Sequence, residues 1–400
     1  MTSLTEATPA LAPTSRARFL LAVVALATGG FAIGTTEFVT MGLLPQIADG
    51  VAVSIPEAGH LISAYALGVV VGAPTIAALG ARMPRRALLI WLMLAYGVLN
   101  LLSAAISHYG LLAFVRFLDG LPHGAYFGVS ALIASSMVSP ERRGRALALV
   151  MMGIPVANVV GVPAATLLGQ ALGWRAAYVA VGLVSVLTVV LILLFVPSTP
   201  GDTEATGRRE LAALRRPQLW YAVVAGAIGF GGMFALVSYI APLTTDVGGL
   251  GESAVAVFLL VLGVGMVVGN TVAGPLIDWS IETSLRGASV GLALALALYY
   301  VLAPTGWWAL VAAFSVTVIG SVLALGFMAR LMDAAGQAQT LGAAMSHASL
   351  NMGNALGAWL GGLVIAAGYG LRAPLVVGVA LAVAGLGVLV LAHRAHLLDD

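Results

Sequence analysis

FLLAVVALATGGFAIGTTEFVTMGLLP, residues 19–45, decides the architecture. Crossing a hydrocarbon core takes roughly 20 mostly apolar residues at about 1.5 Å of rise each. This run has that length, and its one charge is Glu37. Outward from it the pattern recurs at 57–81, 87–106, 111–137, 146–172 and 175–196, then at 219–243, 254–277, 285–303, 307–330, 338–367 and 373–393. β-Barrel spans are about ten residues long and alternate strictly; these runs are longer and do not alternate. The expectation is an all-α membrane protein of about twelve transmembrane helices.

Composition agrees. The chain is 60% hydrophobic and 8% charged, with a mean hydropathy of +1.04, whereas soluble domains carry about 25% charged residues. Net charge is only +2, so no nucleic-acid partner is expected; the partners are the lipid bilayer and a small-molecule substrate. All 18 basic residues are Arg, and there is no Cys, which removes disulfides, thiolate catalysis and Cys-type metal sites. Residues 1–15 lack the basic start of a secretory signal and are read as part of a cytoplasmic tail, residues 1–18.

The arginines orient the chain. With the N-terminus inside, cytoplasmic segments hold Arg16, Arg18, Arg82, Arg85, Arg86, Arg142, Arg143, Arg145, Arg208, Arg209, Arg215, Arg216, Arg286, Arg330 and Arg394, while the outer loops hold Arg175 and Arg372. Fifteen against two is a strong positive-inside bias. It predicts an even number of spans and both termini in the cytoplasm of a bacterial cell, with the protein in the cytoplasmic membrane.

An internal repeat divides the chain into bundles at 19–196 and 219–394, a polar cytoplasmic linker at 197–218 and a tail at 395–400. Leu67-Gly68 and Gly72 match Leu262-Gly263 and Gly269. Asn158-x-x-Gly161 with Gly173-Trp174-Arg175 matches Asn354-x-x-Gly357 with Gly370-Leu371-Arg372. Pro45 and Pro242 end the first and seventh runs. Two six-helix halves related this way are the footprint of a rocking transporter with its substrate site between them near the midplane.

Three charges fall well inside the spans: Glu37, Arg116 and Asp119. Each costs about 2.5–3.5 kcal/mol or more at the bilayer centre unless it faces a polar interior. Their counterparts, near Phe234, Ala313 and Val316, are uncharged, which suggests ion coupling in the first half and substrate surface in the second. Arg116 and Asp119 stand i,i+3 on one helix face and can pair. Burial pulls a carboxylate toward its neutral form and an arginine pulls it toward the charged one. Either a carboxylate takes and releases a proton, with Glu37 favoured for lack of a sequence neighbour, or the charges form a permanent structural bridge, or Glu37 sits near the outer headgroups. His123, one turn beyond Asp119, extends a relay or caps the bundle interior.

Asn158, Asn270, His347, Asn351 and Asn354 either face a central cavity or join helices by hydrogen bonds. Phe38, Tyr65, Tyr126, Phe127, Phe234, Tyr239 and Trp359 are candidates for an apolar cavity wall, with packing or lipid contact as the alternative for each.

Over essentially its whole length the chain resembles a twelve-helix member of the major facilitator superfamily, in the drug:proton antiporter branch. Gly34-Thr35-Thr36-Glu37-Phe38-Val39, continuing to Gly42-Leu43-Leu44-Pro45-Gln46-Ile47, resembles the bacterial arabinose/sugar-efflux and chloramphenicol-resistance exporters. Arg116-Phe117-Leu118-Asp119-Gly120-Leu121-Pro122-His123-Gly124 resembles motif B, whose arginine is implicated in proton transfer. Gly153 through Asn158, Gly161, Pro163 and Gly169-Gln170 resembles the antiporter motif C, where small residues allow close packing and Pro bends the span. Motif A departs. Leu79-Gly80-Ala81-Arg82-Met83-Pro84-Arg85-Arg86 has Ala81 where the family has Asp, and Pro84 where it has the second Gly; the second half keeps Asp278. The resemblance implies gating by Arg82, Arg85, Arg86, Gly161, Pro163 and Asp278, a monomer, no cofactor, and protons as the coupling ion.

The leading expectation is a proton-coupled exporter of small amphiphilic drugs working by alternating access. Export of a sugar or an endogenous metabolite is the alternative; sugar sites need more hydrogen-bonding groups than this interior offers. No G-x-x-x-x-G-K-[ST] phosphate loop is present, which removes ATP-driven transport by this chain alone. A membrane-embedded enzyme or receptor is the distant alternative, disfavoured because the histidines are scattered rather than clustered with carboxylates.

Overall fold

A computed structural model describes residues 16–80, 83–139, 146, 149–198, 216–335 and 339–398. Twelve long helices run through them: α1 (Arg16–Gly42), α2 (Ile55–Gly80), α3 (Arg85–Ala105), α4 (Tyr109–Ser136), α5 (Leu149–Leu172), α6 (Trp174–Phe195), α7 (Pro217–Val237), α8 (Ser253–Trp279), α9 (Ile281–Leu302), α10 (Ala309–Ala335), α11 (Gln339–Val364) and α12 (Ala373–Leu398). No strand occurs among the described residues. Among the described residues, ten stretches are long and apolar enough to cross a bilayer. One of them, Ile281–Ala335, is α9 and α10 joined by the 3-10 turn Ala303–Trp308, and the long helix outside the ten is α4, which carries Arg116, Asp119 and His123.

The helices form two bundles. In the first, α2 packs on α4, α3 on α4 and α6, and α1 on α5 and α6. In the second, α8 packs on α10, α9 on α10 and α12, and α7 on α11 and α12. Across the halves, α2 lies against α11 and α5 against α8. The outer surface is apolar: Trp91, Leu183, Leu194, Leu294, Val301 and Leu391 are all more than half exposed. Hydrocarbon is the solvent such a surface fits, and the helices satisfy their own backbone within it.

Two expected spans end differently. α1 stops at Gly42 instead of running to Pro45; Leu43 (φ −111°, ψ 15°) breaks it, and a short helix, Leu44–Gly50, follows. α7 stops at Val237; Tyr239 (φ −115°, ψ 21°) breaks it before Ile240–Pro242 and a wide π-turn, Leu243–Val247. Pro45 and Pro242 cause both breaks, because a proline has no N–H and its ring clashes with the carbonyl four residues back.

The pseudo-symmetry reaches individual side chains. Gly173 (φ 90°) and Gly370 (φ 84°) turn the chain into α6 and α12 in the left-handed region that favours glycine. Arg175 beside the first turn donates to Ser107 Oγ (3.0 Å), and Arg372 beside the second donates to the Tyr300 carbonyl (2.8 Å). The repeat register shifts at one position. Gly68 and Gly72 of α2 meet the α4 backbone at Phe117 and Leu121, and the glycines that meet α10 in the same way are Gly265 and Gly269. Gly263, matched to Gly68 on sequence, packs instead on the Asn158 backbone of α5, across the halves.

The described hydrogen bonds between the halves gather toward the end formed by the α1–α2 and α7–α8 connections. Gln46 donates to Glu252 Oε2 (3.1 Å), Gln170 to the Glu252 carbonyl (2.9 Å) and Ser63 to the Ala355 carbonyl (3.1 Å). That end, the one away from the described chain ends, is closed.

Candidate transport site

A group of buried polar residues of the first half forms one network at the junction of α1, α2, α3, α4 and α6. α4 presents Arg116 and Asp119 on one face, and Arg116 Nη1 lies 2.5 Å from Asp119 Oδ2 with both side chains essentially unexposed. The guanidinium carbon stands 4.5 Å from the Tyr65 ring centroid and 5.3 Å from that of Tyr178, within cation–π range. Asn100 of α3 supplies Asp119 with a second donor: its Nδ2 lies 2.9 Å from Asp119 Oδ1, and its Oδ1 accepts from Thr36 Oγ1 at 3.0 Å. Both carboxylate oxygens of Asp119 are therefore engaged. Tyr65 Oη shares hydrogen bonds with Tyr96 Oη (3.1 Å) and His123 Nδ1 (2.9 Å), and Thr40 Oγ1 with Tyr178 Oη (2.8 Å).

Glu37, next to Thr36 on α1, is placed differently. It is 8% exposed, and its one described hydrogen bond crosses to the other half, where Asn354 Nδ2 of α11 lies 3.4 Å from Glu37 Oε1. Phe38 beside it stacks on Phe234 of α7 (ring centroids 6.2 Å, planes 23° apart), and Phe230 meets Phe234 edge-on. Further toward the termini, His347 of α11 stacks on Phe127 (5.6 Å, 2°) and meets His123 at 6.4 Å.

The structure thus brings Glu37, Arg116, Asp119, His123, Tyr65, Phe38, Phe234, His347 and Asn354 to one interior region, at or beside the meeting of the halves. Asn351, one turn from Asn354, is buried and donates to the His347 carbonyl. Tyr126 is buried within its own half, its hydroxyl donating to the Leu26 carbonyl (2.8 Å); Tyr239 donates to the Ala358 carbonyl (2.6 Å) and lies against Gly59 of α2 across the halves. Trp359 and Asn270 are exposed. Asn100, Thr36, Thr40, Tyr96 and Tyr178 were not singled out from sequence. Asn100 carries the same signal as the other intramembrane amides, a polar side chain in an apolar run; the hydroxyl groups carry none.

Motif C forms a distorted segment. A π-turn, Ala157–Gly161, precedes Pro163, as a helix widens to relieve a proline's missing donor and ring clash. Asn158 turns its amide back to the Ile154 carbonyl (3.1 Å). Gly161 lets α5 approach Phe31 and Thr35 of α1, and beside it lies an apolar cavity of about 370 Å³ reaching to Leu168 and Val184. Of the gating residues, Arg86 donates to the Leu193 carbonyl of α6, Arg85 starts α3, and Asp278 is exposed in the last turn of α8 with no ion pair among the described residues. Arg82 and the substituted position Ala81 lie outside the described residues, as do most of the linker and the first fifteen residues.

Comparison with known proteins decides the family. The model of the Major Facilitator Superfamily matches residues 26–349. The chain belongs to the Major Facilitator Superfamily. Among this superfamily member's relatives, the inner membrane transport protein YdhP of Escherichia coli K12 is 40% identical over 370 residues, 92% of this chain and 94% of that one. A chloramphenicol resistance protein of Streptomyces lividans is 36% identical over 347 residues, 83% and 86% of the two chains. The fold matches the crystal structure of a bacterial homologue of the human lysosomal transporter Spinster in an inward-facing, unoccupied conformation, with a TM-score of 0.75 at 18% identity over 97% and 99% of the chains. This major facilitator protein is therefore an integral membrane transporter of two pseudo-symmetric six-helix bundles.

Proposed function

We propose that the transporter exchanges protons for small amphiphilic drugs, chloramphenicol-like compounds among them, and expels the drug across a bacterial cytoplasmic membrane with both its termini in the cytoplasm. Glu37 carries the reading. It is a buried carboxylate at the meeting of the halves held by a single long hydrogen bond, whereas Asp119 has both oxygens occupied by Arg116 and Asn100. A group that loads and unloads a proton as access alternates has to be released from its partners at low cost. On this assignment Glu37 binds the proton, the Arg116–Asp119 pair holds the local field and geometry, and Tyr65 and His123 line the adjoining polar path. The Phe38–Phe234 stack joins the halves beside the acid and offers an apolar surface for the body of an amphiphile.

The drug assignment draws on the similarity to the chloramphenicol resistance protein and on the second half having no buried charged side chain among the described residues. It is tested by expressing the chain in a bacterial strain stripped of its own pumps and measuring susceptibility to a panel of compounds. Raised tolerance to chloramphenicol-like compounds is the expected result. An unchanged panel with altered sugar accumulation replaces the drug reading with export of a sugar.

A further inference from the structure

The side-chain amide of Asn354 is half used. Its Nδ2 donates to Glu37 Oε1, while its Oδ1 is buried and has no hydrogen-bond partner among the described residues. Asn354 is 0% exposed, so water does not satisfy that oxygen from the surface. Native structures rarely leave such an acceptor unpaired without a reason.

The chemistry of the pair supplies one. A carboxylate only accepts hydrogen bonds; a carboxylic acid accepts through one oxygen and donates through the other. Set against a primary amide, the acid form makes two parallel bonds, amide N–H to acid carbonyl and acid O–H to amide oxygen. The charged form makes only the first and leaves the amide oxygen orphaned. Charge assistance would normally favour the carboxylate, but the Nδ2–Oε1 distance of 3.4 Å lies at the far limit of a hydrogen bond, where that advantage is small.

We propose that Asn354 is a positioning residue that reads the protonation of Glu37: when Glu37 carries its proton, the two-bond acid–amide pair holds α1 to α11 and keeps this end of the transporter closed. The inference rests on Glu37 being the proton site. The pair sits where it can act, since the next residue, Ala355, accepts the Ser63 hydroxyl of α2 and the Phe38–Phe234 stack spans the same junction. The other ionisable groups around Glu37 are Arg116 and Asp119 on α4, closed on each other, Tyr65 and Tyr96 on α2 and α3, tied together, and Tyr178 on α6, bonded to Thr40. On α11 itself His347 is stacked on Phe127; α7 contributes phenylalanines. None of these offers Asn354 Oδ1 a donor.

The sign suits exchange. With the closed end outside, the proton-loaded carrier is held shut outward and gives up its proton to the cytoplasm. The carboxylate then weakens the closure, so the substrate-loaded carrier can open outward.

The chain has no native cysteine, so a spin-label pair at Asp49→Cys and Ser253→Cys, two exposed positions at the closed end, reports the separation of the halves. Distance distributions are read in nanodiscs from about pH 4 to about pH 9, a range that takes in the ordinary glutamate midpoint and a burial-shifted one. In the otherwise native protein the short-distance population grows as pH falls. Glu37→Gln, whose amide also makes two bonds to Asn354, stays closed at every pH. Asn354→Ala reduces the pH-driven change in the closed-to-open ratio by about fivefold, the effect of roughly one net hydrogen bond. Asn354→Asp acts in the opposite sense and steepens the response, because two acids pair when protonated and repel when charged; it carries the test if Asn354→Ala does not fold. A full pH response in Asn354→Ala, or no steepening in Asn354→Asp, with the response abolished in Glu37→Gln, overturns the role of Asn354 and leaves Glu37 as the proton site. An unaltered response in Glu37→Gln overturns both.

Discussion

Asn100 holds the first half's polar core together from the middle of α3. It donates to Asp119 and accepts a hydrogen bond from the Thr36 hydroxyl, so it ties α4 to the turn of α1 that carries Glu37. Asn100→Ala strands a buried hydroxyl and a carboxylate oxygen, at about 1–3 kcal/mol for an unsatisfied buried group; the checks are a lower melting temperature of the purified protein and reduced coupled transport. Arg116→Ala is expected to cost more, about 3–5 kcal/mol, because it leaves a buried carboxylate unpaired. The double variant Arg116→Ala/Asp119→Ala is expected to recover part of that stability without recovering transport, which a double-mutant cycle reads directly. Glu37, Arg116 and Asp119 were legible in the sequence because charge in an apolar run is costly. That Asn100 serves Asp119, or that Tyr178 covers Arg116, was not legible, since each depends on which helices become neighbours and how they are rotated.

Among the elements, α2 and α4 owe their contact to glycine. A Cβ on Gly68 would fall against the Phe117 carbonyl and Gly120, and one on Gly120 against the Tyr65 carbonyl, backbone in each case. Small residues that let backbones approach are what helix association in lipid relies on. Gly68→Ala is therefore expected to reduce the yield of folded protein sharply, while Gly128→Ala on the same α4, with open space around its Cβ, is expected to leave yield and transport unchanged. Size-exclusion profiles of the two variants compare them. Helix positions were readable from hydropathy alone. The breaks at Leu43 and Tyr239 were not, because a proline signals that a helix is disturbed but not on which side of it the chain resumes. The pairing of Gly68 with Gly265 likewise needed the packing partner, since glycines recur too often in these helices to fix a register by spacing.

At the scale of the whole molecule, the halves share one fold and divide the chemistry. The buried charges Glu37, Arg116 and Asp119 sit in the first half, and the second half contributes Asn354 as the partner of Glu37; at the equivalent positions the second half has Phe234, Ala313 and Val316, all buried. Glu37 and Asn354 meet across the halves, so on the proposed assignment a proton bound on one side of the interface acts on both. On the proposed topology, with both termini in the cytoplasm, the closed end faces outside. A membrane-impermeant thiol reagent added to intact cells is expected to label Asp49→Cys but not Ser198→Cys, which should react only in everted vesicles. The reverse pattern inverts the topology. Proton-driven export is tested most directly in such vesicles, where the cytoplasmic face is outward and an acid interior can be imposed. The gradient is expected to drive uptake of a chloramphenicol-like compound by the native protein, a protonophore to abolish it, and Glu37→Gln to take up none while still binding the compound from the cytoplasmic face. Uptake indifferent to the gradient, or gradient-driven uptake undiminished in Glu37→Gln, contradicts proton coupling through Glu37.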